Sequence, residues 1–167
     1  ELKILIYKLI IPIYNLYLRN IVHLDIKPEN YLVNIENDNY YLVLIDFGSA
    51  RYLNSSFNKI DYNVGSLSYS SPEVNKLIKS KNSDSWNIGI IILICLMKNN
   101  PFRNYENKID IKKNINFLKN TNTPKFFIRL LNELLNEDFF NRMSVEDLVY
   151  FIYQELINCN INITKLH

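Results

Sequence analysis

The sequence predicts a mostly α-helical chain of the α+β class, with one small β-hairpin in its first third. Long segments near both ends carry apolar residues at helical spacing. Two short runs rich in aromatic and β-branched residues, 31–34 and 40–45, flank the turn-forming stretch 36–39. At 167 residues the chain is long enough to form one domain with a sizeable buried core.

The first predicted element is an amphipathic helix over residues 3–19, where Ile, Leu and Tyr recur at helical spacing. Pro12 lies inside this segment and has no backbone N–H, so we expect it to kink the helix or to end its first half. The β-branched pair at 21–22 and a polar loop at 23–30 follow. The hairpin comes next.

Residues 46–73 predict a long loop. They are rich in Ser, Asn and Tyr and show neither a helical nor a strand period. Loops of this length inside compact domains are usually functional. We therefore expect functional residues on this loop and on the polar loop before the hairpin.

The second half of the chain is predicted to be helical. An apolar helix begins with Asp84 as its cap and ends near Met97, before the stop signal at 99–101. Residues 104–120 are weakly patterned, whereas 125–136 repeat apolar residues on one face.

Ser144 predicts the start of the last helix. Asp147 follows three residues later, as in a weak capping box. We expect the end of the chain, residues 158–167, to be a frayed tail.

Composition excludes several classes of protein. Nineteen basic and 17 acidic residues give a net charge of +2, too balanced for a nucleic-acid-binding stripe or a polybasic membrane anchor. Cys95 and Cys159 form neither a disulfide framework nor a zinc spacing, and we expect Cys95 to be a buried small hydrophobe. The apolar run 86–97 is too short to span a membrane. With no leader visible, we expect a cytoplasmic or nuclear protein.

The polar loop 23–30 combines three functional groups on one short turn. Asp25 supplies a carboxylate, Lys27 an ammonium and Asn30 an amide oxygen, and Pro28 restricts the backbone between them. These groups suit a hydroxyl, a phosphate and a metal, respectively. The alternative is that they are ordinary turn residues.

A second carboxylate, that of Asp46, comes directly after the second strand of the predicted hairpin. Phe47 and Gly48 follow it. Carboxylate and amide oxygens, completed by substrate phosphates, are ligands that Mg²⁺ prefers. The hairpin between the two loops should bring Asn30 and Asp46 side by side, which predicts a magnesium site.

Six segments in register resemble the C-terminal lobe of a protein kinase, and specifically of its serine/threonine branch. The resemblance covers roughly residues 2–157, and we take residues 1–157 as a partial kinase domain. The matching segments are HLDIKPEN at 23–30, DFG at 46–48, GSLSYSSPE at 65–73, DSWNIG at 84–89, PF at 101–102 and NRMS at 141–144.

The resemblance implies roles for the catalytic groups. Asp25 would accept the proton of a substrate hydroxyl, and Lys27 would stabilise charge on the γ-phosphate of ATP. Asn30 and Asp46 would hold Mg²⁺, while Leu32 would form the floor under the adenine. ATP and Mg²⁺ are thus the implied cofactors, and a protein serine or threonine is the implied substrate.

The resemblance also implies supporting roles. Ser66 would hydrogen-bond near Asp25 and Lys27, on a substrate-facing loop that includes Tyr69. Asp84 would hold the backbone of the catalytic loop. His23 is better explained as a packing residue beneath the metal loop than as a catalyst. The remaining pair, Glu73 and Arg142, would form a partly buried ion pair.

The sequence departs from the family pattern at two places. Leu24 stands where many kinases have an arginine that receives a phosphate from the activation loop, and this makes control through Ser55, Ser56 or Tyr62 doubtful. The 167 residues also contain no counterpart of three features of the family's N-terminal lobe. These are a glycine-rich loop that binds phosphates, a lysine on a strand that binds the α- and β-phosphates, and a glutamate on a helix that pairs with this lysine. We therefore expect an N-terminal lobe to be missing.

Two hypotheses follow. In the first, the chain is part of an active serine/threonine kinase whose N-terminal lobe lies upstream or on a partner. In the second, it is a catalytically silent lobe that acts as a binding or scaffold module. Under both hypotheses we expect an exposed apolar patch where the other lobe would dock. Neither hypothesis involves nucleic acid or a membrane.

Overall fold

The structure is a computed structural model that describes residues 1–36, 39–61, 64–97 and 110–161. The described residues form five α-helices and six short strands. The helices are α1 (Leu2–Tyr17), α2 (Ser83–Met97), α3 (Ile111–Lys119), α4 (Lys125–Leu134) and α5 (Val145–Asn158). The strands are β1 (Ile21–Val22), β2 (Tyr31–Glu36), β3 (Asn39–Leu44), β4 (Arg51–Tyr52), β5 (Phe57–Lys59) and β6 (Ile78–Ser80).

The main core lies between the helices. Helix α2 runs through its centre and is buried along its first eleven residues, Ser83–Leu93. Helix α1 packs against α5, and α4 packs against α2. Leu, Ile and Phe side chains from these four helices form one apolar cluster, which supplies most of the hydrophobic stabilisation.

Helix α1 continues through Pro12 without a break, so the expectation that Pro12 ends its first half is wrong. Proline removes one helical hydrogen bond, the one to the carbonyl of Lys8. Burial of the helix face that carries Ile6, Ile10 and Ile13 offsets this loss.

The predicted hairpin is confirmed. Strands β2 and β3 pair antiparallel, in a register that runs from the pair Tyr31–Leu44 to the pair Glu36–Asn39. Towards the turn, β2 is two residues longer than predicted and β3 is one residue longer. The buried Lys8 of α1 ties this hairpin to the helical core. Its ammonium donates to Asn39 Oδ1 at 2.9 Å and to the carbonyl of Tyr40.

The segment 46–73, expected to be one long loop, contains two further strands. Strand β4 pairs with β1, and β5 pairs with β6. Each partner lies at least 19 residues away in the chain, because Lys59 pairs with Ile78 and Val22 with Arg51. Strands β4 and β5 are only two and three residues long, too short to show an alternating pattern, which explains why the sequence pattern did not predict them.

The helical second half is confirmed, with one correction. Helix α2 begins at Ser83, so Asp84 lies in its first turn and is not its cap. Ser144 caps α5, because its Oγ accepts from the N–H of Asp147 at 3.0 Å and donates to that residue's carboxylate at 2.6 Å. The stop signal predicted at 99–101 lies outside the described residues.

Three further expectations concern the periphery. Cys95 lies on the last turns of α2 and is exposed, so the expectation of a buried thiol is wrong. The last helix ends at Asn158, and the N–H of Ile161 still donates to the carbonyl of Leu156 at 3.0 Å. Among the described residues, no helix is both long and apolar enough to cross a bilayer.

Candidate active site

Asp25 lies at the centre of the candidate site, on the loop between β1 and β2. The residue is almost fully buried, at 7% exposure. Oδ1 accepts from the backbone N–H of Ser66 at 2.8 Å. Oδ2 accepts from Lys27 Nζ at 2.9 Å and from Asn30 Nδ2 at 3.1 Å. Three charged or polar neighbours therefore fix both carboxylate oxygens.

The protonation of Asp25 follows from these contacts. Burial raises the pKa of this carboxyl, but the hydrogen bonds from Lys27, Ser66 and Asn30, with the charge of Lys27, together lower it below the ordinary value. Asp25 is therefore an ionised carboxylate at neutral pH. An ionised carboxylate of this kind can orient a hydroxyl group and accept its proton.

Lys27 and Ser66 connect two loops that are far apart in the sequence. Lys27 Nζ donates to Ser66 Oγ at 2.8 Å as well as to Asp25. Ser66 follows Gly65, whose φ of +76° lies in the left-handed region. A Cβ on Gly65 would lie 2.1 Å from the carbonyl oxygen of Leu24, so only glycine allows this approach.

Asp84 holds the backbone of the loop that carries Asp25. Its Oδ2 accepts from the N–H of His23 and its Oδ1 from the N–H of Leu24, both at 2.8 Å. Leu24 has a φ of +66°, an unfavourable value for leucine. The two hydrogen bonds stabilise this strained backbone from a helix that lies 60 residues later in the chain.

His23 is completely buried beneath the loop that follows β3. Its Nε2 lies 3.2 Å from the carbonyl oxygen of Ile45, and its ring packs edge-on against Phe47 with centroids 5.1 Å apart. These contacts are those of a packing residue. They join the Asp25 loop to the loop that carries Asp46.

Asn30 and Asp46 present oxygen atoms beside this centre. Both amide hydrogens of Asn30 point inward, since Nδ2 donates to the carbonyl and to the carboxylate of Asp25, and no described residue donates to its Oδ1. The N–H of Ile45 donates to the carbonyl of Asn30 at 2.9 Å. Asp46 is the residue after Ile45, so this hydrogen bond brings the backbone of Asp46 close to that of Asn30.

Asp46 has a left-handed backbone, with φ of +60°, and an exposed side chain. Its Oδ1 accepts from the N–H of Gly48 at 3.3 Å. The described residues hold no cluster of three or more His, Cys, Asp or Glu side chains suited to a metal. One carboxylate and one amide oxygen fit a cation such as Mg²⁺, which takes its other ligands from water and phosphates.

Leu32 and Tyr69 are the two remaining residues that the sequence predicts near the site. Leu32 is 54% exposed on β2, two residues after Asn30. The carbonyl of Tyr69 accepts from Asn87 Nδ2 at 2.6 Å. Asn87 was not predicted as a site residue, although a polar side chain in the middle of an apolar helix is a signal that could have found it.

Glu73 and Arg142 form a buried bidentate ion pair behind the site. The guanidinium donates to the two carboxylate oxygens at 2.6 and 2.8 Å. Ser83 Oγ adds a third hydrogen bond to Glu73 at 3.0 Å, and the Trp86 ring covers the guanidinium with 5.0 Å between their centres. Burial raises the pKa of Glu73, but the hydrogen bonds and positive charge of Arg142 lower it by more. The pKa of Glu73 is therefore below its ordinary value.

Comparison with known proteins gives one family for this arrangement. The family model "Protein kinase domain" matches residues 1–153. The chain therefore belongs to the protein kinase family. Residues Asp25, Lys27, Asn30 and Asp46 all lie within the matched part of this kinase domain.

Individual relatives of this kinase domain are protein kinases by name, and two of the three given below are named as serine/threonine kinases. The chain is 29% identical to "Serine/threonine-protein kinase PSK2" of Saccharomyces cerevisiae, over 89% of the chain and 13% of the relative. It is 33% identical to "Serine/threonine-protein kinase D3" of Homo sapiens, over 86% of the chain and 17% of the relative. It is also 40% identical to "Calcium/calmodulin-dependent protein kinase cmkA" of Emericella nidulans, over 58% and 23%. The chain thus spans less than a quarter of the length of each.

Proposed function

We propose that this chain is the C-terminal lobe of a serine/threonine protein kinase that transfers the γ-phosphate of ATP to a protein hydroxyl. The observation that carries the proposal is the Asp25 centre, in which Lys27, Asn30 and Ser66 all hydrogen-bond to one buried, ionised carboxylate. A centre of this kind holds a base and a cation at a fixed separation, as phosphoryl transfer requires.

Asp25 acts on the substrate hydroxyl. One carboxylate oxygen orients the hydroxyl and accepts its proton while the hydroxyl oxygen bonds to the γ-phosphorus. The bond between that phosphorus and the β,γ-bridging oxygen breaks, and ADP leaves. The ammonium of Lys27, 2.9 Å from Asp25, stabilises the negative charge on the transferred phosphoryl group.

Asn30, through its amide Oδ1, and Asp46, through its carboxylate, would hold Mg²⁺. When bound, this ion would supply positive charge against the phosphates of the nucleotide. Leu32 offers its exposed apolar side chain to the adenine ring. His23 and Asp84 keep the two loops in place through the contacts described above.

The contacts of Ser66 favour serine or threonine as the substrate residue. Its Oγ accepts from Lys27, and its N–H donates to Asp25, so the substrate-facing loop is joined directly to the base. The names of the relatives agree with this preference. Tyr69, three residues further along, lies on the part of the loop that would face the substrate.

Phosphate transfer by the natural protein that contains these residues tests the proposal. We expect transfer from radiolabelled ATP to a serine/threonine-containing protein, and a loss of about 10²–10⁴-fold in kcat for Asp25→Asn because proton acceptance is removed. Asp46→Asn should abolish transfer at low Mg²⁺. Asp138→Asn, an exposed carboxylate distant from the site, is the matched control and should keep full activity. Equal activity of Asp25→Asn and wild type would contradict the proposal.

The 167 residues on their own should behave differently. They lack a phosphate-binding glycine loop and the strand lysine, so half of the expected ATP clamp is absent from them. We expect the isolated chain to bind Mg·ATP weakly by calorimetry and to transfer phosphate negligibly. Robust transfer by this chain, abolished by Asp46→Asn, would show that the lobe needs no N-terminal partner.

A second candidate function, a silent binding module, is favoured by exposed apolar side chains on both faces of strand β2. Leu32, Val33 and Ile35 are 54%, 63% and 71% exposed, so β2 presents apolar side chains to solvent. Such a surface fits a docking partner whether or not the lobe is catalytic. If the natural protein binds a partner through this hairpin and transfers no phosphate, the second function is correct and the first is wrong.

A further inference from the structure

Asn87 is a buried polar side chain in the middle of the apolar helix α2. It is only 3% exposed, and its neighbours Trp86 and Ile88 belong to the main core. An amide group in such a place destabilises the fold unless it forms hydrogen bonds. Among the described residues, its side chain forms a single hydrogen bond, from Nδ2 to the carbonyl oxygen of Tyr69 at 2.6 Å. The burial of this amide is therefore compensated through the loop that contains Tyr69.

The substrate-facing loop, residues 66–71, forms a tight turn that begins at the Asp25 centre. The N–H of Ser66 donates to Asp25 Oδ1 at 2.8 Å. The carbonyl of Ser66 accepts from the N–H of Tyr69 at 2.9 Å, which closes the turn. Ser66 thus attaches one end of the turn to the proposed base, and Asn87 attaches the other end, at Tyr69, to the helical core.

One side of helix α2 contacts both loops of the site. Asp84 lies three residues before Asn87, and side chains at this spacing are neighbours on a helix surface. Asp84 accepts from the N–H groups of His23 and Leu24, both at 2.8 Å, and so holds the loop that carries the proposed base. Asn87 donates to the carbonyl of Tyr69. Two side chains less than one helical turn apart therefore fix the two loops relative to each other.

We propose that Asn87 is a positioning residue, which holds the substrate-facing loop in the arrangement that binds the protein substrate. The inference rests on the proposed function, because the loop faces a substrate only if a protein hydroxyl reaches the base. Asn87 hydrogen-bonds to the substrate side of the site. The groups proposed for the nucleotide and its metal, Asn30, Leu32 and Asp46, lie on other segments of the chain. Asn87 should therefore affect the protein substrate and not ATP.

This role has a kinetic consequence that a purely structural role does not have. Without the hydrogen bond from Asn87, the substrate-facing loop populates other arrangements. The apparent affinity for the protein substrate then falls by the fraction of molecules that keep the binding arrangement. Saturating substrate restores this arrangement, so kcat is retained. A merely weakened fold would instead reduce the amount of active protein and leave KM for the protein substrate unchanged.

Asn87→Leu in the natural protein is the direct test, because leucine replaces the amide by an apolar group of similar size. The probe is the serine peptide that the wild type phosphorylates fastest in a degenerate peptide library. We expect KM for this peptide to rise by about 5- to 50-fold, as the loss of one hydrogen bond to a buried carbonyl predicts. Both kcat and KM for ATP should change by less than about threefold. Amide exchange in residues 67–71 should become about tenfold faster.

Ser85→Ala is the matched control, because Ser85 is also a buried polar residue of α2. It is 0% exposed, and its Oγ has no hydrogen-bond partner among the described residues. Its replacement should leave both the peptide KM and the exchange of residues 67–71 unchanged. If Asn87→Leu fails to fold, Asn87→Ser keeps a small polar side chain that is too short to reach Tyr69, and it should show the same rise in peptide KM.

Two results would overturn the inference. One is a peptide KM in Asn87→Leu, or in Asn87→Ser, that equals the wild-type value, or a fall in kcat as large as the rise in KM. The other is unchanged amide exchange in residues 67–71. A wild-type protein without transferase activity would contradict the proposed function itself, whereas the exchange data decide separately whether Asn87 holds the substrate-facing loop.

Discussion

Glu73 and Arg142 show how much one buried pair of side chains contributes. They lie 69 residues apart in the chain, and both are almost fully buried, at 3% and 0% side-chain exposure. Removing charge from water is costly, and two short hydrogen bonds between the pair offset that cost. Either residue alone would leave an unpaired charge inside the protein.

We predict that Arg142→Met lowers the free energy of unfolding by about 3–5 kcal/mol, because Glu73 then remains buried without its partner. The double variant with Glu73→Leu should recover part of this loss, although Ser83 Oγ loses its acceptor. Urea denaturation measures both values. Arg129→Met, an exposed arginine packed on Phe151, is the control and should cost about 1 kcal/mol or less. An equally small loss for Arg142→Met would contradict the prediction.

Helix α1 illustrates the balance between local preference and packing at the scale of an element. Proline inside a helix costs about 3 kcal/mol relative to alanine. The helix nevertheless runs from Leu2 to Tyr17 through Pro12, because one face packs against α5 and the main core. Packing energy summed over several buried side chains exceeds the local cost.

Pro12→Ala should therefore stabilise the protein, by about 1–3 kcal/mol, because alanine supplies the N–H that the carbonyl of Lys8 lacks. Thermal and urea unfolding measure the change. Asn15→Ala, an exposed position one turn later, changes helix propensity without restoring a hydrogen bond and should give less than about 1 kcal/mol. A destabilised Pro12→Ala would mean that proline fits its packing environment better than alanine does.

Stability of the whole molecule should depend on pH, because three buried carboxyl groups have shifted pKa values. The pKa values of Asp25 and Glu73 are lower in the folded protein than in the unfolded chain. The stability that each carboxylate contributes is therefore fully present at a pH above its unfolded pKa, and it is lost as the pH falls through its folded pKa. Burial raises the pKa of Asp84 more than its backbone hydrogen bonds lower it. Asp84 therefore acts in the opposite direction and favours folding more at low pH.

We predict a net loss of stability on acidification below about pH 4.5, since two lowered carboxyl groups oppose one raised group. Urea unfolding between pH 7 and pH 3 measures this slope. The double variant Glu73→Leu with Arg142→Met should flatten it, because the most buried lowered carboxyl is removed. An unchanged slope in the double variant would place the acid sensitivity elsewhere.

Much of the candidate site could be predicted from contiguous sequence. Asp25, Lys27 and Asn30 lie on one eight-residue loop, so their proximity follows from the chain itself. The hairpin that brings Asp46 to them is a local structure, with a turn and alternating strands that a short window contains. Family membership rests on such local motifs, and this explains why the sequence was sufficient for it.

Other features depended on contacts between distant parts of the chain. The sequence determined the helices, the hairpin and the residues of the proposed catalytic centre. Only the tertiary structure decided that α1 passes through Pro12, that β5 pairs with β6, that Cys95 is exposed and that Leu24 shares a buried cluster with Leu53, Ile60 and Val64. The physical reason is that burial and strand pairing between residues far apart in the chain contribute free energies that exceed local propensities and leave no local pattern.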